Sequence, residues 1–363
     1  MIVAYVSGHG FGHATRSAEV LRRVRELKPG VRITVVSDAP EALFRRAIPG
    51  ALSFRKLRCD VGLVQQDALT IDEAATEASW RDFARDLPEL VDTEWRFLRH
   101  AGATVVLGDI PPMAFQAAHE AGVFSVALAN FSWDWIYRHL AQRRPKLRDA
   151  AARCAEYYGR AGLLLRLPFA GDMRVFPRVE DIPLVARVPR ITRAEARRRL
   201  NLGAETALLL SFGGFGMPNL DVSTLARFGH FVFLSTDKPP GALPNLRLLD
   251  AAGLEAQGLG YEDVVGAVDV VITKPGYGIV SDAIGAGVRV IYTDRGDFPE
   301  YGVMVAEMPS WLACVHISQA DLRAGRLDAA LRDVLAKPVP PAPDTSGADV
   351  AAGRILEAAE RGA

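Results

Sequence analysis

The sequence lacks the features that would place it at once among disulfide-rich or nucleic-acid-binding proteins. It contains only three cysteines, Cys59, Cys154 and Cys314, which are far apart and form no CxxC pair. A disulfide framework is therefore not expected, and the chain suits a reducing compartment. Lysine plus arginine and aspartate plus glutamate each number 43, so the net charge is zero. Nucleic-acid-binding proteins normally carry a basic excess, so we expect no nucleic-acid partner.

Long apolar runs are also missing. No stretch reaches the roughly 18 consecutive apolar residues of a membrane-spanning helix. The first residues, Met1 to Ser7, have neither the basic start nor the apolar length of a signal peptide. We therefore expect a cytoplasmic protein without a transmembrane segment, and peripheral contact with a membrane stays open.

What the sequence does contain is an alternation of short apolar runs with longer amphipathic stretches. The chain has 363 residues, and domains usually have about 100–200, so two domains are expected. The alternation predicts an α/β fold with parallel sheets and helices on both faces. In the first half, strands are predicted at 2–6, 32–36, 52–56, 104–107 and 124–128, with helices at 14–27, 40–47, 74–100 and 112–121. In the second half, strands are predicted at 207–211, 231–234, 246–249, 268–273 and 289–292, with helices at 261–267 and 279–286.

Proline-rich segments divide the chain. Four prolines between residues 166 and 190 mark a linker rather than a core helix. The predicted domains are therefore 1–165 and 191–340. The remaining segment, 341–363, contains a helical pattern and could pack back on the first domain.

A glycine-rich loop containing two histidines follows the first predicted strand. Gly10 and Gly12 allow close approach of a ligand, and the helix that follows exposes unpaired N–H groups. The spacing is not the GxGxxG of dinucleotide-binding proteins, which disfavours a nicotinamide dehydrogenase. His9 and His13 are both candidates for proton transfer, since histidine titrates nearest neutral pH. The alternative is that a histidine only packs or caps the loop.

Polar side chains also follow later strands of the first half. Because the carboxyl ends of parallel strands meet at one edge, Asp109 can lie near the histidine loop and orient an imidazole. It could equally cap the following helix. Asn130, Trp133 and Asp134 lie in a predicted loop whose aromatic faces could stack on a sugar while the polar groups bind hydroxyls. The alternative is a buried aromatic plug at the domain interface.

The second half contains two loops of the kind that bind phosphate. One, residues 212–216, follows its first strand. The other, residues 274–278, precedes a helix and is called the lysine loop. The P-loop pattern GxxxxGK[ST] is absent. No HExxH or DxD motif occurs, so we expect no metal, with phosphate charge held by helix dipoles and basic groups. The candidate phosphate-binding residues are Gly213, Gly214, Lys274, Gly276, Tyr277 and Gly278.

Four further residues are candidates for contacts with other parts of such a ligand. Asp282 lies one turn into the helix after the lysine loop and could reach a ribose hydroxyl, or be a solvated surface acid. Asp297 and Glu300 could hold sugar hydroxyls, and Arg295 could hold phosphate or orient the two acids.

Several strings of the sequence resemble a known family. They are YVSGHGFGHATR, VQQDALTID, NFSWDWIY, FGG and KPGYGIVSDAI. Together with the two Rossmann-like halves, they resemble GT-B glycosyltransferases, and in particular the glycosyltransferase-like N-terminal part of plant L-arabinokinases and its stand-alone bacterial relatives. The resemblance spans nearly the whole chain. No segment offers a sugar-kinase phosphate loop, so kinase activity is not carried over.

The resemblance implies two Rossmann-like domains facing a central cleft and an inverting, metal-independent transfer of a sugar. The first domain would bind an unidentified acceptor through Gly10, Gly12 and the Asn130 loop, with His13 as base assisted by Asp109 and His9 as its rival. The second would bind a nucleotide sugar, for which UDP is the expected nucleotide, as co-substrate without a further cofactor. Asp282 stands where the class often has Glu, and Asp297 and Glu300 would meet the donor sugar. An epimerase of the same fold and a non-catalytic sugar-nucleotide-binding protein are the alternatives.

Overall fold

A computed structural model of the chain describes residues 1–67, 69–213, 220–236 and 243–362. The first half forms one sheet of seven parallel strands in the order β3-β2-β1-β4-β5-β6-β7. Its strands are β1 (Ile2–Val6), β2 (Ile33–Ser37), β3 (Ser53–Lys56), β4 (Val105–Asp109), β5 (Ser125–Ala129), β6 (Leu163–Arg166) and β7 (Val179–Asp181). Its helices are α1 (Phe11–Leu27), α2 (Glu41–Ala47), α3 (Glu73–Ala101), α4 (Pro112–Ala121), α5 (Trp133–Leu140) and α6 (Leu147–Tyr158).

The second half forms a sheet of six parallel strands in the order β10-β9-β8-β11-β12-β13. Its strands are β8 (Thr206–Ser211), β9 (Phe231–Ser235), β10 (Leu246–Leu248), β11 (Val270–Thr273), β12 (Arg289–Tyr292) and β13 (Cys314–His316). The remaining helices are α7 (Arg193–Arg199), α8 (Ala251–Ala256), α9 (Tyr261–Ala267), α10 (Tyr277–Ala286), α11 (Pro299–Trp311), α12 (Gln319–Arg323), α13 (Asp328–Ala336) and α14 (Gly347–Arg361), with a 3₁₀ turn at Val222–Arg227.

The α/β class with two parallel-sheet domains is confirmed. The central strands are continuous apolar runs because they are covered on both faces, and all five residues of β1 are buried. The longest described helix, α3, has 29 residues and carries many charges. No helix in the described ranges is both long enough and apolar enough to cross a membrane.

The segment predicted as a linker, 166–190, is partly built into the first sheet. Its start overlaps β6, and β7 pairs with β6 inside it. Strand β7 has only three residues at the edge of the sheet, between Pro177 and Pro183. Proline is tolerated at sheet edges, where its missing N–H breaks no ladder. Proline density therefore marked an edge strand as well as a connection, and the first sheet extends to Asp181.

The strand orders decide where a ligand can bind. Strand β1 lies between β2 and β4, so the order reverses there, and Val6 pairs with Asp109 at the carboxyl edge. In the second sheet β8 lies between β9 and β11 in the same way. Open parallel sheets bind ligands at such switch points. The loops after β1, β4, β8 and β11 are therefore the ones positioned for function.

Each domain also carries a segment that packs on the other half of the chain. Helix α14 lies against α1 of the first domain, with Asp349 paired to Arg23 and Glu360 to Lys28. In the other direction, an antiparallel bridge between Gln65 and Ile71 brings residues 64–67 and 69–72 together, and these residues are called the crossing hairpin. This crossing hairpin leaves the first domain and places Leu69 in the apolar core of the second.

Candidate active site at the domain interface

His13 and Asp109 form a buried pair at the switch point of the first sheet. Helix α1 begins directly after Gly10, whose φ of 79° is a conformation that favours glycine. His13 follows within the first turn, and its Nδ1 lies 2.8 Å from Oδ1 of Asp109 at the end of β4. Both side chains are buried. The strand-end placement that the sequence predicted thus brings the two residues together.

Asp109 is held in its ionised form. Burial alone would raise the pKa of Asp109, but the Arg16 guanidinium and His13 lower it to about 2. Arg16 donates from Nε to Oδ2 at 2.8 Å and from Nη2 to Oδ1 at 2.5 Å, and the Ser17 hydroxyl donates to Oδ2 at 2.6 Å. Nη2 of Arg16 also lies 3.0 Å from Nδ1 of His13, but it makes its shorter contact with Oδ1 of Asp109, at 2.5 Å. Because that carboxylate can only accept, we assign the proton between it and His13 to Nδ1. Nε2 of His13 is then the nitrogen that can take a proton.

Arg16 extends this pair into a chain of polar contacts that reaches the second domain. Its Nη1 donates to Oδ1 of Asn130 at 2.8 Å. The amide Nδ2 of Asn130 donates to Oε1 of Glu300 at 2.7 Å. Arg295 Nη1 donates to the other oxygen, Oε2 of Glu300, at 2.9 Å. The sequence singled out Asn130, Glu300 and Arg295 separately but not this connection.

His9 occupies a different position from His13 and has its basic nitrogen engaged. Its Nδ1 accepts the backbone N–H of Leu63 at 3.3 Å, so the neutral ring carries its proton on Nε2. Burial, followed by the charges of His13, Arg295 and Lys274, lowers the pKa of His9 to about 3. A neutral ring whose lone pair is already used is a poor general base. The geometry therefore favours His13 of the two.

Trp133 is not a platform for a sugar ring. It starts helix α5 instead of lying in a loop, and its side chain is fully buried. Its ring stacks on Tyr137 with centroids 5.9 Å apart, and its Nε1 donates to Oδ2 of Asp60 at 2.9 Å. Trp133 and Tyr137 are four residues apart, so one face of α5 packs both rings inward. The alternative of a buried aromatic plug is the one that the structure supports.

The two polar neighbours of Trp133 are also buried, in different surroundings. Asn130 has no exposed surface and lies between Arg16 and Glu300. The carboxylate of Asp134 lies 3.5 Å from Nη1 of Arg138 on the next turn of α5. Burial raises the pKa of Asp134. Both carboxylate oxygens of Asp134 are buried and make no hydrogen bond with the described residues, and its contact with an acceptor stays a prediction.

Two contributors to the site were not found from the sequence. Arg16 lies three residues after His13, on the same face of α1, and that spacing was the available signal. Asp60 is buried in a loop and accepts the Ser7 hydroxyl at 3.0 Å as well as the Trp133 indole. Burial raises the pKa of Asp60 to about 6. A lone aspartate in a loop carries no sequence signal for such an environment.

The lysine loop of the second domain has the form of an anion site. Helix α10 begins after Gly276, which leaves the first N–H groups without a side-chain cap. Burial and then the nearby charge of Arg295 lower the pKa of Lys274 to about 7. Arg295 also donates to the carbonyl of Pro275 within the loop, at 3.3 Å. Two basic groups and a helix N-terminus therefore converge on one place.

The first turns of α1 and α10 meet at the domain interface. Gly12 and Gly278 approach each other there, and a Cβ on Gly278 would be in tight contact with the Cα of Gly12. Tyr277 fills the space beside them: it is buried, its ring lies 5.1 Å from the Arg16 guanidinium, and its hydroxyl accepts the Val185 N–H at 3.2 Å. Burial raises the pKa of Tyr277. Tyr277 is thus an interdomain packing residue as well as a member of the lysine loop.

The other predicted donor residues lie in separate environments. Gly213 follows β8 with a φ of 77°, and Gly214 lies outside the described residues. Asp282 is buried, so its interpretation as a solvated surface acid is wrong, and its carboxylate accepts Nε of Arg187 at 3.1 Å. Asp297 is exposed and pairs with His139 at 2.9 Å and Arg143 at 2.6 Å across the domain boundary. Within the described ranges, no three His, Cys, Asp or Glu side chains are grouped as metal ligands.

Comparisons with known proteins agree with this architecture. No protein-family model matches the chain. L-arabinokinase of Arabidopsis thaliana is 32% identical over 327 residues, which cover 89% of this chain and 31% of that protein. The chain thus spans about a third of the length of this relative.

Solved structures resemble the chain over nearly all its length. The glycosyltransferase of kitacinnamycin superposes with a TM-score of 0.58 at 18% identity, covering 99% of this chain and 95% of that one. A UDP-glucosyltransferase from Polygonum tinctorium, capable of glucosylating indoxyl, gives 0.60 at 15% identity with coverages of 99% and 93%. The glycosyltransferase VinC in complex with dTDP gives 0.57 at 14% identity and covers 99% of both chains. At these identities the likeness concerns the fold.

Proposed function

We propose that this chain, which has the GT-B fold, is a glycosyltransferase that moves a sugar from a nucleoside diphosphate sugar to an acceptor hydroxyl. The observation that carries the proposal is the buried His13–Asp109 pair at the start of α1, facing the lysine loop at the start of α10. A proton acceptor on one domain and an anion site on the other are the two groups that such a reaction needs. The names of the structural neighbours, among them a UDP-glucosyltransferase, support the same reaction class.

On the acceptor side, His13 is the proposed general base. Its Nε2 would take the proton of the acceptor hydroxyl as that oxygen attacks the anomeric carbon of the donor. Asp109, ionised at neutral pH, fixes the ring through Nδ1–H and stabilises the imidazolium that forms. Nothing lies within 4 Å of a Cβ at Gly10, which would leave room for the acceptor, and Gly12 would border it beside Gly278. A single displacement of this kind would invert the anomeric configuration.

On the donor side, the lysine loop would hold the diphosphate. The first N–H groups of α10, Lys274 and Arg295 would receive the negative charge as the anomeric C–O bond breaks. An incoming diphosphate would also favour the charged form of Lys274. These protein groups supply positive charge at the loop, and we propose that they act without a metal ion. Gly276, in this loop, and Gly213, at the end of the neighbouring strand β8, would border the same space.

The donor sugar itself would meet the acidic segment after β12. Glu300 lies at the centre of the interface, between Arg295 and Asn130. We place it against hydroxyls of the donor sugar, with Asp297 at the outer rim. Asp282 would reach the ribose only if Arg187 released it, because Arg187 Nε and backbone N–H both donate to its carboxylate.

Binding of the donor is the first test. The chain is screened by thermal unfolding against nucleoside diphosphates and their sugars, with UDP and UDP-sugars as the expected hits. A ligand at 100 times its Kd adds about 2.7 kcal/mol of stability. Lys274→Ala should abolish the shift, whereas Lys146→Ala, at an exposed lysine paired with Glu77, should keep it. No shift with any nucleotide would overturn the donor site.

Turnover then separates the remaining alternatives. A sugar transferred only in the presence of an acceptor supports the proposal. A nucleotide sugar that changes configuration without any acceptor would identify an epimerase instead. Binding without either reaction would identify a non-catalytic sugar-nucleotide-binding protein.

A further inference from the structure

The amide of Asn130 is held between two groups of opposite hydrogen-bonding character. On one side is the Arg16 guanidinium, which can only donate, and on the other is the Glu300 carboxylate, which can only accept. Asn130 therefore has one allowed orientation, with Oδ1 toward Arg16 at 2.8 Å and Nδ2 toward Glu300 at 2.7 Å. Rotating the amide by half a turn would break both bonds and set like groups against each other.

Burial makes the geometry of these hydrogen bonds well defined. Asn130 and Asp109 are 0% exposed, Glu300 is 3% exposed and Arg16 is 4% exposed. Water does not compete for hydrogen bonds at such positions. Leaving a buried donor or acceptor without a partner therefore costs free energy, and the bonds keep a fixed geometry. The charges also balance, since Arg16 pairs with Asp109 and Arg295 pairs with Glu300. Asn130 is the neutral connection between these two ion pairs.

The connection crosses from one domain to the other. Asn130 follows β5 of the first sheet, whereas Glu300 lies in the first turn of α11 in the second domain. If the second domain moved away, Nδ2 of Asn130 would lose its acceptor and the amide would be free to rotate. Arg16 would then lose the fixed acceptor of its Nη1. The same guanidinium holds both oxygens of Asp109, to which His13 donates.

We propose that Arg16 and Asn130 are positioning residues which make the orientation of His13 depend on the docking of Glu300 from the second domain. This inference rests on the proposed function, because it concerns the group assigned there as the base. Its physical content is that the specific contact of Asn130 with Glu300, rather than interdomain contact in general, places the base. Arg295 links these contacts to the lysine loop, because its guanidinium donates both to Glu300 and to the carbonyl of Pro275.

A second interdomain contact provides a matched control. Asp297 of the second domain pairs with His139 and Arg143 of the first, at an exposed rim. That pair also crosses the boundary, yet none of its described contacts leads to His13. Arg143→Gln therefore weakens interdomain contact without interrupting the contacts through Asn130.

The test is nuclear magnetic resonance of the full-length chain labelled with ¹⁵N in its seven histidines. In the unmodified protein, the Nδ1–H of His13 should give a strongly downfield proton signal that exchanges slowly with water. Asn130→Asp keeps an acceptor for Arg16 but sets a carboxylate against Glu300, so this signal should broaden or be lost. Glu300→Ala, which removes the acceptor of Asn130 Nδ2, is the second variant if Asn130→Asp fails to fold. Arg143→Gln should leave the signal unchanged.

The outcomes are decisive in either direction. An unchanged His13 signal in folded Asn130→Asp and in folded Glu300→Ala would overturn the proposal. Loss of the signal in Arg143→Gln as well would also overturn it, because docking in general would then be responsible. The measurement uses the ligand-free protein, so a failure of nucleotide binding, which would remove the proposed function, is recorded separately from a failure of this coupling.

Discussion

Gly278 of the second domain faces Gly12 of the first so closely that a Cβ on Gly278 would lie 3.3 Å from the Cα of Gly12. Each glycine is the second residue of its helix, so the first turns of α10 and α1 meet at this point. The N-terminal ends of both helices carry partial positive charge. Their approach therefore concentrates positive potential at the place where the lysine loop and His13 come together.

This approach predicts that Gly278→Ala destabilises the protein by about 1 kcal/mol, because the added methyl group forces the two helices apart. Gly276→Ser is the control: nothing lies within 4 Å of a Cβ there, and serine is a favoured residue before a helix. Urea unfolding of both variants measures the difference. Equal stability of Gly278→Ala and the unmodified chain would contradict the close packing of the two helices.

For the base, we predict that His13→Ala lowers kcat by about two to four orders of magnitude, the usual contribution of general acid–base catalysis. His9→Asn should retain most of the turnover, since the nitrogen of His9 serves a backbone N–H rather than a substrate. Steady-state kinetics of both variants with the identified donor and acceptor make the comparison. A larger loss in His9→Asn than in His13→Ala would reverse the assignment.

The buried carboxylate of Asp60 predicts a pH dependence of stability. Its folded-state pKa is raised to about 6 by burial, above the ordinary value near 3.9. The folded state therefore binds a proton between about pH 4 and 6 that the unfolded state has released, so stability from this group falls as pH rises through that window. Between pH 4 and 7, the titration of Asp60 should lower the free energy of unfolding of the unmodified protein by on the order of 2 kcal/mol, and Asp60→Asn should abolish this decrease.

Chemical denaturation of both proteins at several pH values tests this prediction. The two stability curves should lie closest at low pH and separate as the pH rises toward 7, with the Asn variant relatively more stable. Parallel curves throughout would show that Asp60 does not titrate in this window.

Lys274 predicts a pH dependence of nucleotide binding. Because its pKa in the free protein is lowered to about 7, the charged fraction decreases above that pH. Diphosphate binding favours the charged form, so Kd should rise as pH increases from 7 to 9, by up to about tenfold for each pH unit. Lys274→Arg keeps its charge throughout this range, and its Kd should change little. Calorimetric titration with the nucleotide found by thermal unfolding gives both profiles.

Asp282 allows a test between a structural and a ribose-binding role. Its ion pair with Arg187 is largely buried, with the Asp282 side chain 2% and the Arg187 side chain 20% exposed, and removing one partner of a buried pair costs about 3–5 kcal/mol. We expect Arg187→Ala to lower the free energy of unfolding by about this amount. Asp282→Asn should lower stability while changing the Kd of the nucleotide little. A loss of affinity without a loss of stability would instead assign Asp282 to the ribose.

The fold was predictable from the sequence because its signals are local and repeated. Apolar runs of strand length ended in glycine, and amphipathic stretches of helix length followed, so β1, α1, β4 and α4 were located to within a few residues. The meeting of His13 and Asp109 followed from the same pattern, because parallel strands place their carboxyl ends at one edge.

Other parts depended on three-dimensional context. The aromatic residues of 130–137 predicted a ligand-binding loop, yet Trp133 and Tyr137 are four residues apart and pack as one face of a helix. The partners of Asn130 lie 114 and 170 residues away along the chain. No local sequence pattern indicates that a side chain at the end of a strand, such as Asn130, will contact a residue of the other domain. Arg16 was the exception, since its position three residues after His13 was visible in the sequence.

The crossing hairpin and α14 interlock the two halves of the chain. Leu69 of the first domain completes the core of the second, and α14, which follows the second sheet in sequence, covers α1 of the first. Neither half can unfold without exposing apolar surface that the other half has covered. Their melting is therefore thermodynamically linked, and heating should give one calorimetric transition whose van't Hoff enthalpy approaches the total enthalpy. Cutting the chain between its two sheets would separate two fragments that each lack a necessary piece.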